Sequence, residues 1–447
     1  MRHTFIALMA LLAAGNLSAQ PETPIRIDIN AGKQIATVTK RFNGTNIEDL
    51  NNQTNGGMFS QLIHGEAFEE NIDVDFLNLE RKDYSKIYVV LDERRIPHLL
   101  NQSNVYSRIN WNNLGEKYDF NSNDIYSAGR YGAPENLSGW MFPGRFLVYD
   151  SLPENIQKIM MTRINGNEQV SKYWSKLTSG NPQYKYELIR DGKAYMGRQT
   201  QRISFAAGNG EVGITNHGLY RSGIMFENGK SYDGILRIKA DKPTTIYVSL
   251  RDENNNILAE KPYQLKGDGS YEKVVYELTP NGATINGSFG ISLKAPGTVD
   301  LGFAFLQPGT WGRIEGGWPI QTKFTDALKK QGITAFRYNG SMVDVGADTY
   351  LYRWKLMRGP IDERRITFRS GFNPYATHSF GFIEMLQAAE VINATAIIGM
   401  SMNESYEDIR DFVEYVNGPI SSKWGALRAA DGHPQPYLSL IHISEPT

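Results

Sequence analysis

The side chains able to do chemistry in this chain are carboxylates, not thiols or paired imidazoles. None of the 447 residues is a cysteine, which excludes disulfides, cysteine nucleophiles and thiolate zinc sites. The seven histidines show neither an HExxH motif nor paired ligand spacing, and His64-Gly65-Glu66 is only a superficial echo. No metal and no cofactor is therefore expected. Glu48 and Asp49 close a short strand that begins near Phe42. A second acidic group, Asp252-Glu253-Asn254-Asn255-Asn256, reads as a solvated hairpin tip. Calcium is the alternative there, with only two carboxylates close together. Aromatic rings are plentiful, with 24 Tyr, 20 Phe and 7 Trp. Such rings stack on sugar faces, but core packing is the default for any single one.

The elements that must position these groups fall into blocks. The Met-Arg-His start, the apolar run 5–14 and Ala19 have the form of a secretory signal peptide cut after Ala19. That run is too short to span a bilayer, and no later segment is long and apolar enough to cross one. Export without cysteine suits a bacterial secreted or periplasmic protein. The net charge of −1 offers no basic face to nucleic acid. Residues 25–29 and 35–38 alternate as short strands, and Met58–Ile63 has helical spacing. Residues 71–170 are an insertion of uncertain role, with a strand at Ile87–Leu91. From 171 to 310, short strands at 231–238, 245–252, 272–278, 288–293 and 299–306 alternate with polar turns, the pattern of an antiparallel β-sandwich. After Trp311 the period changes again. Helices are expected at 320–331, 381–394 and 405–417, with Ser405 as a cap, and strands at 334–338 and 395–400. That alternation is α/β, in a barrel or a wound sheet.

Four stretches together resemble glycoside hydrolase family 51, the α-L-arabinofuranosidases. They are Gly44-Thr45-Asn46-Ile47-Glu48-Asp49 with Gly56-Gly57-Met58-Phe59; Phe336-Arg337-Tyr338-Asn339-Gly340-Ser341; Tyr352-Arg353-Trp354-Lys355 with Gly359-Pro360 and Glu363-Arg364-Arg365; and Phe412–Pro419 with Trp424–Ala430 and Gly432-His433-Pro434. The last is the most specific, being the longest ordered string. The sandwich looks like a family-4/9-type carbohydrate-binding module, through Gly218-Leu219-Tyr220-Arg221-Ser222-Gly223 and its strand pattern.

The resemblance implies a partial (β/α)8 barrel, its first three strands at Phe42–Glu48, Ala335–Asn339 and Thr395–Met400, with an antiparallel jelly-roll sandwich inserted. The catalytic part would cover 20–70 and 311–437, and the sandwich 171–310. Glu48 would accept hydrogen bonds from arabinose hydroxyls at the C-terminal end of strand one, where barrel sites lie. Arg337 would orient sugar oxygens or pair with a neighbouring carboxylate; the two roles are compatible. Trp354 and Phe372 would wall a subsite or pack. Met342 stands where relatives often carry Asn, which weakens the inference of strict arabinose specificity. The implied activity is retaining removal of arabinofuranosyl side chains from plant polysaccharides, with an arabinose-containing glycan as partner. A non-catalytic carbohydrate-binding protein and a glucan-active relative are the alternatives. Retaining chemistry needs two carboxyl groups about 5–5.5 Å apart. By resemblance both lie beyond Tyr437. Residues 438–447, Leu-Ser-Leu-Ile-His-Ile-Ser-Glu-Pro-Thr, instead read as an in-frame translation of a transposase sequencing adapter. The 447-residue product is thus expected to be inactive and aggregation-prone.

Overall fold

The computed structural model describes residues 42–48, 53–68, 170–171, 173–189, 191–196, 199–338, 354–364, 379–400 and 404–437, a few positions between 27 and 37, and the backbone of short strands elsewhere. The expected signal peptide, Phe372, the stretch 339–342 and most of 71–170 lie outside the described residues. In chain order, strand β1 (Gly44–Ile47) is followed by a small antiparallel sheet of β2 (Ile87–Leu91), β3 (Pro97–Asn101) and β4 (Phe146–Val148). Nine strands then form the large sheet system: β5 (Trp174–Ile189), β6 (Thr200–Asn216), β7 (Ile224–Phe226), β8 (Tyr232–Lys239), β9 (Thr244–Arg251), β10 (Ile257–Leu265), β11 (Tyr271–Leu278), β12 (Thr284–Leu293) and β13 (Gly297–Pro308). Helix α1 (Thr322–Lys330) leads to β14 (Ala335–Tyr338). The two-residue strands β15 (Ile366–Thr367) and β16 (Ala376–Thr377) precede α2 (Phe382–Val391) and β17 (Thr395–Ile398). Helices α3 (Tyr406–Asn417) and α4 (Lys423–Ala430) precede β18 (Leu440–Ile441).

The sandwich is organised by one long hairpin. β5 and β6 pair from Trp174↔Asn216 to Ile189↔Thr200. Along the other edge of β6, β12 takes Val212–Asn216 and β13 takes Gln201–Phe205. The hairpin therefore passes through both layers, one continuing to β9 and β10, the other to β8 and β11. The layers meet over Leu236, Ile238, Val248, Leu250, Ile291 and Leu301, all inaccessible to solvent, with Tyr276 stacked on Phe289 at 5.6 Å. Where β6 leaves one layer for the other it carries Gly208 and Gly210 at φ of 98° and 110°. A Cβ at Gly210 would strike the Ser179 carbonyl across the hairpin. Gly210→Ala is expected to cost about 2 kcal/mol or more, read as a lower urea midpoint at unchanged slope.

β13 ties the sandwich to the α/β part. Nearly every residue from Val299 to Pro308 is buried, because both faces of the strand are covered. Val299, Leu301, Ala304 and Leu306 enter the sandwich core. Phe303 and Phe305 point the other way, into a second core with Phe59, Ile320, Phe336 and Leu386. A register shift between Leu301 and Phe303 resets the alternation. Beside β13, Arg237 of β8 reaches buried Asp362 at 2.6 Å, and Lys273 of β11 reaches it at 3.1 Å.

The α/β part is a parallel sheet in the order β1-β14-β17-β18. The three strands expected from the sequence are present, and Leu440–Ile441 adds a short fourth, in register with Ile397–Ile398. α2 is buried from Phe382 through Ala389, so its sequence is apolar almost all round. Two expectations are corrected. Met58–Ile63 is not a helix: Ser60 N–H donates to the Pro319 carbonyl, Leu62 N–H to the Leu306 carbonyl, and Phe59 bridges Ile320. Those long-range partners take the groups a helix would have used. The described positions among 27–37 are not in strands, and Ile27 and Ile35 are exposed.

α3 begins as expected, with Ser405 Oγ accepting from Asp408 N–H at 3.0 Å. Lys355 fastens its first turns through Asp408 and Asp411, each at 2.6 Å. The Lys355 hydrogen bond holds the Asp408 carboxyl below its ordinary value, helped by Ser405. Burial pushes Asp411 up, but Lys355 wins and its value is lowered too. Groups whose folded values are depressed stabilise the fold above the ordinary carboxylate range. That contribution is lost as pH falls through the folded values. Amide protection in α3 should therefore drop between about pH 5 and pH 3, and Lys355→Met should remove most of that dependence. Equal protection at both pH values would refute the coupling.

Candidate active site

Alternation along the parallel strands sorts their side chains onto two faces. Phe336 and Tyr338 are fully buried, and Tyr338 packs against Phe380 and Phe382. The residues between them point to the opposite face. There β1 and β14 pair Asn46 directly with Arg337. Two residues beyond Asn46, at the C-terminal end of β1, stands Glu48. Asn46 Nδ2 donates to Glu48 Oε1 at 2.6 Å, and Arg337 Nη1 lies 3.6 Å from the same oxygen. Both expected roles of Arg337 are open to this geometry: it pairs with Glu48, and its side chain remains 41% exposed.

The Glu48 backbone is also fixed. Its N–H donates to Gln53 Oε1 at 2.9 Å, at the start of the wide turn Thr54–Met58. In that turn Gly56 adopts φ of 85°. A carboxylate can accept about four hydrogen bonds, so Glu48 keeps capacity for hydroxyl donors after Asn46 and Arg337 are counted. The arrangement is a polar, half-open patch at the C-terminal edge of parallel strands, with one carboxylate oriented by an amide and a guanidinium.

Trp354 is not part of that patch. It is 1% exposed, packs against Phe412, Tyr415 and Trp424 with centroids 5.0–5.5 Å apart, and donates Nε1–H to the Asp408 carbonyl. The expectation that it walls a subsite gives way to packing, because no ring face is left for a sugar. In the acidic turn, the Asp252 carboxylate accepts from Asn254 N–H, Asn256 N–H and Asn256 Nδ2, each at 2.8 Å. It closes its own hairpin tip. Among the described residues no group of three or more His, Asp or Glu could hold a metal ion.

Residues 327–445 match the α-L-arabinofuranosidase 1 domain. An extracellular exo-α-L-arabinofuranosidase of Streptomyces chartreusis is 25% identical over 301 residues, which cover 61% of this chain and 35% of that protein. The chain is a relative of the family-51 α-L-arabinofuranosidases. α-L-Arabinofuranosidase 2 of Arabidopsis thaliana is 24% identical over 245 residues, covering 51% of this chain and 36% of that one. The solved structure of an arabinose-bound family-51 α-L-arabinofuranosidase superposes with a TM-score of 0.61 at 17% identity, over 92% of this chain and 55% of that one. The fold is thus that of family 51, an α/β barrel portion joined to a β-sandwich. The chain spans little more than a third of the length of these curated relatives.

Two residues that hold Glu48 escaped the sequence reading. Asn46 and Gln53 hold Glu48 from either side. The signal for Asn46 was its spacing of two from Glu48 on a strand, which puts both on one face.

Proposed function

We propose that the chain recognises a terminal arabinofuranosyl unit through Glu48, Arg337 and Asn46, as part of a retaining α-L-arabinofuranosidase. The substrate class is arabinose-containing plant polysaccharide, and the product of the full reaction is free L-arabinose. The observation that carries this reading is the Asn46–Glu48–Arg337 group, oriented on one face at the C-terminal end of parallel strands. The sandwich is read as a glycan-binding module that keeps the enzyme on its polymer. Secretion after cleavage near Ala19 is part of the same reading, supported by the extracellular relative and by the signal-like first residues. No described helix is long and apolar enough to cross a membrane.

Calorimetric titration with arabinofuranosyl-ended and glucan oligosaccharides tests it. Glu48→Gln keeps the shape but removes the charge, and a hydrogen bond to a charged group is worth about 1.5–3 kcal/mol. Affinity for the arabinofuranosyl ligand should fall about 10- to 100-fold. Preference for the glucan, or unchanged affinity in Glu48→Gln, would sink the proposal.

A further inference from the structure

One cavity bordered by described residues has neither Glu48 nor Arg337 in its lining. It measures about 490 Å³ and sits where the sandwich meets the N-terminus of α1. One wall is apolar, built from Leu219, Ile224, Met225 and Trp311. The other is polar. Asn55 and Thr322 border it, and their Nδ2 and Oγ1 atoms are buried with no hydrogen-bond partner. Asn55 is 9% exposed. Unpaired buried polar groups are costly, so two of them on residues that border one cavity point to a ligand. The start of α1 adds to that wall: it has no side-chain cap and no acidic residue in its first turn.

The motif Gly218–Gly223, which the binding function has not yet used, shapes the apolar side. Gly218 and Gly223 adopt φ of 69° and 93°, and Leu219–Arg221 form a 3-10 turn between them. A Cβ at Gly223 would press on the Asn286 backbone at 2.5 Å, so only glycine allows this turn to lie so close. An apolar wall facing hydrogen-bond donors matches a sugar ring, which has an apolar face and a rim of oxygens. The volume is in the range of small-ligand sites.

We propose that this cavity is a second glycan-binding site, taking glycosyl units of the polymer between the apolar wall and the Asn55–Thr322 wall. It rests on the reading that the chain handles a glycan. The turn 54–58 carries Asn55 on one side and follows Gln53, which holds Glu48, on the other. The same short segment therefore serves both sites, and a polymer held in the cavity is held beside the loop that orients Glu48.

The test uses the full chain in affinity electrophoresis through arabinoxylan and through arabinose-free β-glucan, in a Glu48→Gln background that weakens the first site. Thr322→Val removes one hydroxyl at constant shape, and Asn55→Leu removes the amide; melting temperatures confirm that each variant is folded. Thr322→Val alone decides the matter if Asn55→Leu does not fold. Retention of the Glu48→Gln chain on arabinoxylan that weakens about tenfold in either variant is the expected result. Retention on β-glucan alone, lost in the variants, keeps the second site but overturns the arabinose reading. Retention unchanged by both substitutions, or no retention once Glu48 is replaced, overturns the second site.

Discussion

Asp362→Ala should destabilise the chain by about 3–5 kcal/mol, the range for breaking a buried ion pair from one side. Asp362 is completely buried in the 3-10 turn Ile361–Glu363. Two cations from the sandwich converge on it, Arg237 Nη2 at 2.6 Å and Lys273 Nζ at 3.1 Å, and the Arg237 guanidinium lies over the Tyr195 ring at 5.1 Å. Removing the carboxylate leaves Arg237 with Glu363, 3.3 Å away, and takes this partner from Lys273, at the seam between sandwich and α/β part. With total stability of about 5–15 kcal/mol for a typical domain, the seam should open before either core melts. A single unfolding transition in the native chain should become two in the variant, seen by calorimetry. The apolar triple replacement Arg237→Met, Lys273→Met, Asp362→Leu should recover most of the loss, since the charges then need no compensation. A destabilised triple variant would show that the ion group does more than satisfy itself.

Arg428→Met should cost about 2–4 kcal/mol, by a different mechanism. Arg428 is fully buried, yet its guanidinium meets carbonyl oxygens, not a carboxylate: those of Tyr415, Gly418, His433 and Pro434, at 2.7–3.0 Å. The Tyr415 bond is buried and the other three are part-buried; a buried carbonyl left without its donor costs about 1–3 kcal/mol, an exposed one less. The four carbonyls lie on the end of α3 and on the segment that runs toward β18. Arg428 thus staples the approach of the fourth parallel strand to the helix before it. Amide exchange in 431–437 should rise to the level of an exposed loop in the variant. Arg428→Lys should rescue little, because one ammonium cannot span four acceptors set around a planar fork. Full protection of that segment in Arg428→Met would refute the staple.

These two residues also show where sequence reading stops. Arg428 and the Glu363-Arg364-Arg365 stretch beside Asp362 both fall in family-51 strings recognised from the sequence, but as marks of kinship without assigned partners. Their partners lie in other elements, on β8 and β11 for Asp362 and across a turn for Arg428. Elements with local periodicity were legible. The parallel strands at 335–338 and 395–398, the helix capped by Ser405 and five sandwich strands were expected within a few residues of their bounds. The long hairpin of β5 and β6 was not. Its Ser-Lys-Leu-Thr-Ser-Gly-Asn-Pro-Gln run from 175 to 183 carries no alternation, because much of that stretch faces solvent and the strand exists through pairing to β6.

The sequence by itself determined the family resemblance, the division into a sandwich and an α/β part, and Glu48 with Arg337 as candidate sugar contacts. The division follows from short-range patterns, in which period and residue type act within one element; Glu48 and Arg337 are candidates through the resemblance. Only the tertiary structure decided that Trp354 is core, that Met58–Ile63 is extended, that Asn46 and Gln53 fix Glu48, and that a cavity opens between Asn55 and the Gly218–Gly223 turn. Each of these depends on which distant group takes a backbone hydrogen bond or covers a ring. Such choices are made when the two cores close on either side of β13.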